Sequence, residues 1–388
     1  MKILITSIID IKKSPPTRLH HFIKYLSQKH NLTVICINEY RRGQDVDSKS
    51  YSKDFQDIIS KIEVRYFTER NISPILQELF APILITKLED QKFDLVINYN
   101  TIISGGYVAK KLGIPMVYDL ADDLPSMIAE SPGIPSIFRG AGKWFSNKMV
   151  KHTILRSKAV CSISDIYQEK FSIPDEKFHI ISNGVDTSHF KKIKSSIRKD
   201  LNLESEFTLG YVGALREWVD ITPVYQALKK LDNTKLIIVG QEGLFRENQE
   251  LVKKYAVQDK VIFTGHIQYA HLPEYIASMD VCLIPFKNND TSQNSIPLKL
   301  FEYMACEKPV ISSNLKGVKN IVGDRILYAN SSDEYLSQIT FLQTESVSDN
   351  HNENLREFVL QNYTWEKSGG YLEKLLEKIN SYVQKREK

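Results

Sequence analysis

The chain has 388 residues, of which 42% are hydrophobic and 25% are charged, as is usual for a soluble globular protein. This length is too great for one ordinary domain and predicts two. The net charge of +4 is too small to favour nucleic acid as a partner.

The N-terminus and the cysteines indicate where the protein works. MKILITSIID is typical of a first strand rather than a signal peptide, and no apolar run approaches the roughly 20 residues of a membrane-spanning helix. Cys36, Cys161, Cys282 and Cys306 are widely spaced, without a C-x-x-C pair. We therefore expect buried free thiols in a reducing cytosol.

The first half of the chain alternates apolar strands with helices, such as those over 18–30 and 73–91. This alternation predicts a parallel sheet with helices on both faces. The predicted strands are 2–9, 32–37, 62–67, 93–98, 116–120, 159–164 and 179–182.

Two groups of acidic residues in this half could bear on function. Asp119, Asp122 and Asp123 lie at the carboxyl end of a predicted strand, where sites form in parallel sheets. A solvated acidic loop or a helix N-cap is the alternative. Asp45 and Asp47 look like a metal-binding D-x-D pair, but no apolar strand leads into their polar loop, so a solvated loop is favoured.

The stretch 139–158 is basic and contains no acidic residue. Trp144, Phe145, Met149 and Ile154 supply an apolar side, so the stretch resembles a helix that lies on an anionic membrane. A helix packed on the core with a basic solvated face is the alternative. Both interpretations remain open from sequence.

A turn signal, Asn183-Gly184-Val185-Asp186, separates the two halves. We expect a first domain over 1–186, a polar, lysine-rich linker over 187–202, a second domain over 203–365 and a C-terminal helix over 366–388. The second series of predicted strands is 208–212, 235–239, 261–264, 281–285, 309–312 and 326–328.

The stretch 281–314 organises the second domain as strand, loop, helix and strand. Such a crossover places the loop 287–295 and the start of the helix, at Pro297, at the carboxyl end of the first strand. A helix N-terminus suits phosphate. Lys299 and Glu302 share one helix face, so a cation for phosphate lies beside a carboxylate for ribose hydroxyls. This pattern suggests a nucleotide diphosphate site, and a solvated surface pair is the alternative.

Two further features surround this helix. Asn294 or Ser295 can cap its start. The first strand of the second domain ends in Gly210-Tyr211-Val212-Gly213, and Arg216 follows. Glycines permit close backbone approach, and arginine binds phosphate oxygens bidentately. As a bare G-x-x-G pattern, the glycine pair is a weak signal.

Two α/β domains with a nucleotide-type site in the second resemble a GT-B glycosyltransferase. Four stretches of the sequence narrow this to the retaining group 1 family, called family 4, which they resemble. They are Asn183–Asp186, the glycine and arginine pattern of 210–216, Phe263–Ile267, and Lys299–Ala305 before Lys308–Ile311. The resemblance is specific over most of the second domain and matches the first in layout only. It implies two Rossmann-like domains facing a cleft, with the C-terminal helix packing back on the first.

The resemblance also implies roles for individual residues. Glu302 should hold ribose hydroxyls and Arg216 the diphosphate. The turn of Gly265, His266 and Ile267 should lie beside the base, and the backbone of 295–298 should face the diphosphate and the donor sugar. The implied donor site comprises Gly213, Arg216, Gly265, His266, Ile267, Asn294, Ser295, Pro297, Leu298, Lys299 and Glu302.

The sequence departs from the family pattern at three places. Asn294 stands where the family has a glutamate, so a charge that would support a cationic sugar is lost. The family's lysine shortly after Arg216 is missing near Ile221, and we expect Lys299 to replace it. Asp119 follows a tyrosine rather than a histidine, and it could orient the donor sugar or the acceptor. We therefore expect Asp119, Arg216 and Lys299 to be the catalytic residues.

The leading hypothesis is a retaining glycosyltransferase. It would move a sugar from a nucleotide diphosphate sugar to a hydroxyl of a lipid-linked or cell-envelope glycan, in the cytoplasm or peripherally on the inner face of the cell membrane. No metal or other cofactor is demanded, because two cations and a helix end already face the phosphates. One alternative is a nucleotide-sugar 2-epimerase, although the loop near Asn294 offers no convincing carboxylate pair. The other is a non-catalytic nucleotide-sugar-binding module, which Asn294 itself suggests.

Overall fold

The computed structural model describes residues 1–39, 53–88, 90–131, 134–344 and 349–386. The chain divides into two compact units, one formed by Met1–Asn183 with Trp365–Lys388 and the other by Gly184–Thr364. Within the described ranges, no helix has both the length and the apolarity needed to cross a bilayer. The acidic pair Asp45 and Asp47 lies outside the described residues.

Each unit is built on a parallel sheet. The seven-stranded sheet of the first unit has the order β3-β2-β1-β4-β5-β6-β7, and the six-stranded sheet of the second has the order β10-β9-β8-β11-β12-β13. Both sheets are rich in buried aliphatic side chains, as expected when helices cover both faces. The strands are β1 (Lys2–Ser7), β2 (Asn31–Cys36), β3 (Glu63–Tyr66), β4 (Leu95–Tyr99), β5 (Met116–Leu120), β6 (Ala159–Ser162), β7 (Phe178–Ile180), β8 (Phe207–Val212), β9 (Thr234–Val239), β10 (Val261–Gly265), β11 (Val281–Ile284), β12 (Val310–Ser312) and β13 (Leu327–Tyr328).

Helices connect successive strands in both units. The helices are α1 (Arg18–Leu26), α2 (Lys53–Lys61), α3 (Pro74–Gln77), α4 (Ala81–Thr86), α5 (Ser104–Leu112), α6 (Leu124–Glu130), α7 (Ser136–Arg156), α8 (Ile166–Phe171), α9 (Ile197–Asp200), α10 (Thr222–Leu228), α11 (Phe245–Lys254), α12 (Leu272–Ser278), α13 (Asp290–Gln293), α14 (Leu298–Ala305), α15 (Lys316–Val322), α16 (Ser332–Thr344), α17 (Asp349–Asn362) and α18 (Trp365–Arg386).

The first sheet grows in two directions from β1. Strands β2 and β3 are added on one side of β1, and β4 to β7 are added on the other. Right-handed crossovers therefore place α1 and α2 on one face and α5 and α7 on the other. The C-terminal helix α18 packs against α1, where Trp365 stacks on His21 at a centroid distance of 4.4 Å. The expectation that this helix packs back on the first domain is confirmed.

Three local predictions differ from the structure. The helix expected over 73–91 is split into α3, a 3-10 turn at Glu78–Phe80 and α4, because Pro82 in the first turn of α4 cannot donate a backbone hydrogen bond. On α7, Trp144 and Phe145 are exposed while Ile154 is buried, so they do not share one apolar side.

The third difference concerns the segment 187–202, which belongs to the second unit rather than forming a free linker. Phe190 is fully buried there, and Arg356 donates hydrogen bonds to the carbonyl oxygens of Thr187 and Phe190. The polar composition of the segment concealed this single buried aromatic anchor. All four cysteines are buried free thiols, as predicted.

Candidate functional site

Three glycine turns meet at the carboxyl edge of the second sheet. Gly213, Gly240 and Gly265 follow or end neighbouring strands and have φ angles of 128°, 142° and 73°. The Gly213 amide donates to the Val239 carbonyl at 2.8 Å, and the Gly240 amide donates to the Gly265 carbonyl at 3.0 Å. A Cβ atom on Gly240 would lie 2.4 Å from the Gly213 oxygen. A side chain is thus excluded at Gly240, and the positive φ angles disfavour one at Gly213 and Gly265, so these three turns present backbone without side chains of their own.

The sequence also singled out Gly210, but its role is different. A Cβ atom there would lie 1.9 Å from the Met279 sulfur atom. Gly210 therefore makes room for core packing, and of the two glycines in the motif only Gly213 lies at the strand end.

Helix α14 is fixed to the same edge by a buried tyrosine. The Val212 amide, at the last residue of β8, donates to the Tyr303 hydroxyl oxygen at 2.8 Å. Leu300, Phe301 and Met304 are fully buried beneath the helix. The first turn of α14 is consequently held next to the end of β8, as the strand, loop and helix pattern predicted.

Lys299 lies over an aromatic ring rather than in a surface ion pair. Its Nζ is 3.9 Å from the centroid of Tyr211 and 5.6 Å from that of Phe286, and a Cβ atom on Gly213 would be 2.9 Å from that nitrogen. Among the described residues it forms no ion pair with Glu302 within 4.0 Å. The Tyr211 hydroxyl donates to the Ala214 carbonyl at 2.8 Å, which holds the ring in place. The solvated-pair alternative is therefore not what the structure shows.

Burial shifts the titration of both charged groups on α14. It lowers the pKa of Lys299 to about 7, an effect that the neighbouring carboxylate of Glu302 partly opposes. It raises the pKa of Glu302 to about 7, which the charge of Lys299 partly opposes. Both side chains nevertheless keep an opening to solvent. A phosphate placed there would restore the lysine charge, because an anion favours the protonated form.

Arg216 lies in the loop between β8 and α10 and pairs with Glu242. Its Nη2 is 2.8 Å from a carboxylate oxygen of Glu242, and both side chains are about a third exposed. Backbone hydrogen bonds of 2.9 and 2.7 Å join Leu215 to Glu242 and Leu244. A further glycine contact tightens this pairing, since a Cβ atom on Gly243 would be 2.2 Å from the Leu215 oxygen.

The loop before α14 folds more tightly than its polar sequence indicated. It contains the short helix α13, whose C-cap is Asn294. The side-chain amide of Asn294 donates to the Asp290 carbonyl at 3.1 Å. The Ser295 hydroxyl donates to the Ser292 carbonyl at 2.8 Å. The N-cap of α14 is Pro297, without a side-chain cap, so the expected capping by Asn294 or Ser295 is absent from this part of the structure.

Close backbone packing anchors the same loop to α15. A Cβ atom on Gly317 would lie 2.7 Å from the Ser295 oxygen. Gln293 accepts a hydrogen bond from the Lys316 amide at 2.9 Å and donates one to the Asn314 carbonyl at 3.1 Å. The backbone of 295–298, which precedes and begins α14, is therefore held in place by the contacts of this loop with α15 and the residues before it. On the far side of the edge, His266 is exposed and Ile267 half-buried after Gly265.

In the first unit, Asp119 is fully buried and bound by Arg18. The Arg18 Nε and Nη2 atoms lie 3.0 and 2.9 Å from the two carboxylate oxygens. The same guanidinium donates to the Ser182 carbonyl at 3.0 Å. The carboxylate of Asp119 is thus occupied by a structural partner, and no sequence pattern marks the buried arginine.

The two neighbouring acids also have partners. Asp123 caps α6 by accepting from the Ser126 amide at 3.2 Å and pairs with Lys170, which fits the N-cap alternative. Asp122 accepts from the Asn100 side chain at 2.7 Å. Burial, followed by the nearby charge of Asp119, raises the pKa of Asp122 to about 6.

Sequence reasoning missed four supporting residues. Tyr211 and Tyr303 look like ordinary core aromatics in the sequence, and nothing in their spacing marks them. Arg18 lies in a helix with no paired acid nearby in the chain. Only Glu242 carries a detectable signal, because it is an acidic residue between Gly240 and Gly243 at a strand end.

Two units, each built on a parallel sheet with helices between the strands, are the architecture of the GT-B class of fold. Family comparison agrees: residues 16–189 match the model for Glycosyltransferase Family 4, and residues 193–359 match the model for Glycosyl transferases group 1. The chain therefore belongs to the group 1 glycosyltransferases, family 4, and this prediction from sequence is confirmed.

Individual proteins show the same likeness. The chain is 27% identical over 211 residues to the putative teichuronic acid biosynthesis glycosyltransferase TuaH of Bacillus subtilis, covering 52% of this chain and 50% of that protein. It is 26% identical over 240 residues to N-acetyl-alpha-D-glucosaminyl L-malate synthase of Bacillus anthracis, covering 57% of this chain and 60% of that protein. The matches thus span about half of these relatives.

Among solved structures, Anabaena Alr3699/HepE in complex with UDP and glucose superposes with a TM-score of 0.75 at 18% identity. The match covers 97% of this chain and 100% of that one. At this level of identity the likeness establishes the fold alone, and it confirms the predicted GT-B architecture.

Proposed function

We propose that the protein is a retaining glycosyltransferase that moves a sugar from a nucleotide diphosphate sugar to a hydroxyl group. The observation that carries this proposal is the position of Lys299. Its ammonium group lies against the backbone of Gly213 at the carboxyl edge of the second sheet, with Glu302 one turn further along α14. A cation, a carboxylate and open backbone then occur together where parallel sheets bind nucleotides.

The diphosphate is the part of the donor that this edge suits best. When the glycosidic bond breaks, negative charge grows on the departing diphosphate. Fixed positive groups stabilise that charge more in the transition state than in the ground state, which lowers the barrier. In this proposal Lys299, Arg216 and the N-terminus of α14 supply the positive field, and Arg216 exchanges Glu242 for a phosphate oxygen.

The ribose and the sugar have separate partners. Glu302 accepts hydrogen bonds from ribose hydroxyls, and its half-buried position makes those bonds stronger than they would be in water. Asn294 offers an uncharged amide to a sugar hydroxyl. An acceptor hydroxyl that attacks from the face of the departing diphosphate preserves the anomeric configuration. The structural neighbour with bound UDP and glucose supports a donor of this type.

The acceptor in this proposal is a lipid-linked or cell-envelope glycan, reached from the cytoplasmic side by a peripheral protein. The name of the relative from Bacillus subtilis, a teichuronic acid biosynthesis glycosyltransferase, supports envelope chemistry. We also propose that transfer needs no metal, because Lys299 and Arg216 already provide two cations at the diphosphate.

The direct test is transfer with product analysis. The full chain is incubated with UDP, GDP and dTDP sugars and with glycolipid acceptors, and the anomeric configuration of the product is read by NMR. We expect retention, and a loss of roughly 100-fold or more in turnover for Lys299→Met. Lys229→Met, an exposed position at the end of α10, is the matched control. An inverted product would refute retention, and the absence of any donor cleavage would refute the enzyme.

A further inference from the structure

One face of the first unit carries large apolar side chains in solvent. On α7, Ile137 is 80% exposed and Trp144 66% exposed. In the segment 74–86, Leu79 is 55% and Ile83 61% exposed. Scattered apolar residues are ordinary on protein surfaces, but contiguous groups mark contact sites. We define the apolar surface by its six members, which are Leu76, Leu79, Ile83, Ile137, Phe138 and Trp144.

These residues belong to one layer of helices. Helix α5 packs against both α4 and α7, so the three helices cover the same face of the sheet. The segment 74–86 leads from the end of β3 back to the start of β4, and α7 leads back to the start of β6. Residues early in each segment therefore lie nearest the carboxyl edge of the sheet, where open parallel sheets bind ligands.

Basic residues accompany the apolar ones. Helix α7 contains no acidic residue, and Lys148, Lys151 and Arg156 are exposed on it. The Lys148 ammonium lies 5.3 Å from the centroid of Trp144, so a cation and an exposed aromatic ring are adjacent. Lysine is depleted at interfaces between proteins, whereas lysines beside exposed aromatics suit the headgroup region of an anionic bilayer.

We propose that the apolar surface and the cations of α7 dock the first unit onto an anionic lipid bilayer. The apolar side chains enter the boundary between headgroups and acyl chains, and the lysines pair with lipid phosphates. This inference rests on the proposed function and deepens it, because it identifies the acceptor class as a hydroxyl-bearing molecule anchored in that membrane. The two groups of helices contribute together, so neither should suffice alone.

The test is cosedimentation of the full chain with vesicles. Vesicles of phosphatidylcholine and phosphatidylglycerol in equal parts are compared with vesicles of phosphatidylcholine alone, at low and high salt. We expect binding to the anionic vesicles only, weakened by salt. The combined substitutions Leu76→Ser, Leu79→Ser and Ile83→Ser should reduce partitioning at least about tenfold, as should Lys143→Glu, Lys148→Glu and Lys151→Glu together.

Matched controls separate this surface from general effects. Phe341→Ser removes an aromatic residue of similar exposure from α16, and Lys374→Glu reverses an exposed charge on α18. Both should bind vesicles as the native protein does. Failure of the native protein to bind anionic vesicles, or undiminished binding by either surface variant, would overturn the proposal. The proposal would also be overturned if the native protein formed a dimer and did not bind vesicles, and if the serine substitutions dissociated that dimer. A second copy of the chain would then cover the apolar surface.

Nucleotide binding distinguishes this proposal from the function on which it rests. The surface variants should keep the thermal stabilisation that a nucleotide diphosphate gives, because every substitution lies in the first unit. Vesicle binding without nucleotide binding would refute the proposed function while leaving the docking surface standing.

Discussion

The two charged residues of α14 predict an unusual pH dependence. Lys299 loses its proton as the pH rises through about 7, and a diphosphate favours the charged lysine, so affinity should fall above that pH. Glu302 gains a proton as the pH falls through about 7, and ribose hydroxyls favour the carboxylate, so affinity should also fall below it. We therefore expect the affinity for a sugar nucleotide to be greatest near pH 7.

Calorimetric titrations across this range measure the effect, with a sugar nucleotide whose diphosphate does not itself titrate there. Lys299→Met should bind more weakly and should lose the decline at high pH. An affinity that is flat across neutral pH in the native protein would contradict the assignment of both groups.

The ribose assignment of Glu302 gives a second prediction. Glu302→Ala removes hydrogen bonds to a charged acceptor, each of which contributes about 1.5–3 kcal/mol, so donor affinity should fall at least about tenfold. Glu250→Ala changes an exposed glutamate on α11 and should leave affinity unaltered. If Glu302→Ala binds the donor as tightly as the native protein, the carboxylate does not hold the ribose.

A substitution of Asp119 distinguishes the catalytic role predicted from sequence from a stabilising role in the first unit. Asp119→Asn leaves Arg18 buried without a counter-charge, and we expect it to lower the free energy of unfolding by about 3–5 kcal/mol. Urea denaturation measures this loss. A variant of native stability that has lost only transfer activity would instead support the role expected from sequence.

For individual residues, the sequence was enough to identify the charged groups at the edge of the second sheet but not the residues that contact them. Lys299, Glu302 and Arg216 could be found because charged residues at strand and helix ends suit phosphate and ribose. Tyr211, Tyr303 and Arg18 could not, because the contacts that define them join positions distant in the chain, such as Arg18 and Asp119. Pairings across the fold leave no periodic signal.

At the scale of elements, the attachment of α14 to β8 is the feature that positions the site. Tyr303→Phe removes the acceptor of the buried Val212 amide, and an unsatisfied buried donor costs about 1–3 kcal/mol. Urea denaturation should show this loss, together with weaker nucleotide binding because the first turn of α14 is less well held. The control is Tyr255→Phe, because the Tyr255 hydroxyl accepts a long, exposed hydrogen bond of 3.5 Å from Gln226. Equal stability of the two variants would show that the hydroxyl does not anchor the helix.

The strands were predictable and several connections were not. Each predicted strand is present within a few residues, because buried parallel strands are short runs of aliphatic residues. Helix α13 was hidden in a polar loop, since its stability comes from a cap by Asn289 and from packing rather than from apolar periodicity. Helix α7 was found, but its exposed aromatics were misassigned to a common apolar side with Ile154, which lies in the core.

At the scale of the whole molecule, alternation of strands and helices was enough to predict two parallel-sheet units. The boundary was harder to place, because 187–202 is polar in composition yet anchored in the second unit by Phe190 and Arg356. The return of the C-terminal helix to the first unit followed from the family resemblance rather than from the residues themselves.

The proposal that donor binding and transfer need no metal ion concerns the complete protein together with its donor. We expect EDTA to leave the affinity for a nucleotide diphosphate within about twofold, because Lys299 and Arg216 supply the charge that a divalent ion would otherwise provide. Calorimetry with and without magnesium measures this. A loss of binding in EDTA that magnesium restores would show that a metal takes part.

A thermal-shift screen with UDP, GDP, dTDP, ADP and CMP tests most directly whether the second unit is a nucleotide diphosphate site. At a concentration about 100 times the Kd, one diphosphate should raise the melting temperature of that unit by roughly 5–10 °C, whereas Glu302→Ala should show a smaller rise. If none of these nucleotides stabilises the protein, the assignment of a nucleotide diphosphate site to the second unit is contradicted. That result would favour a non-catalytic protein in which Asn294 reflects the loss of activity.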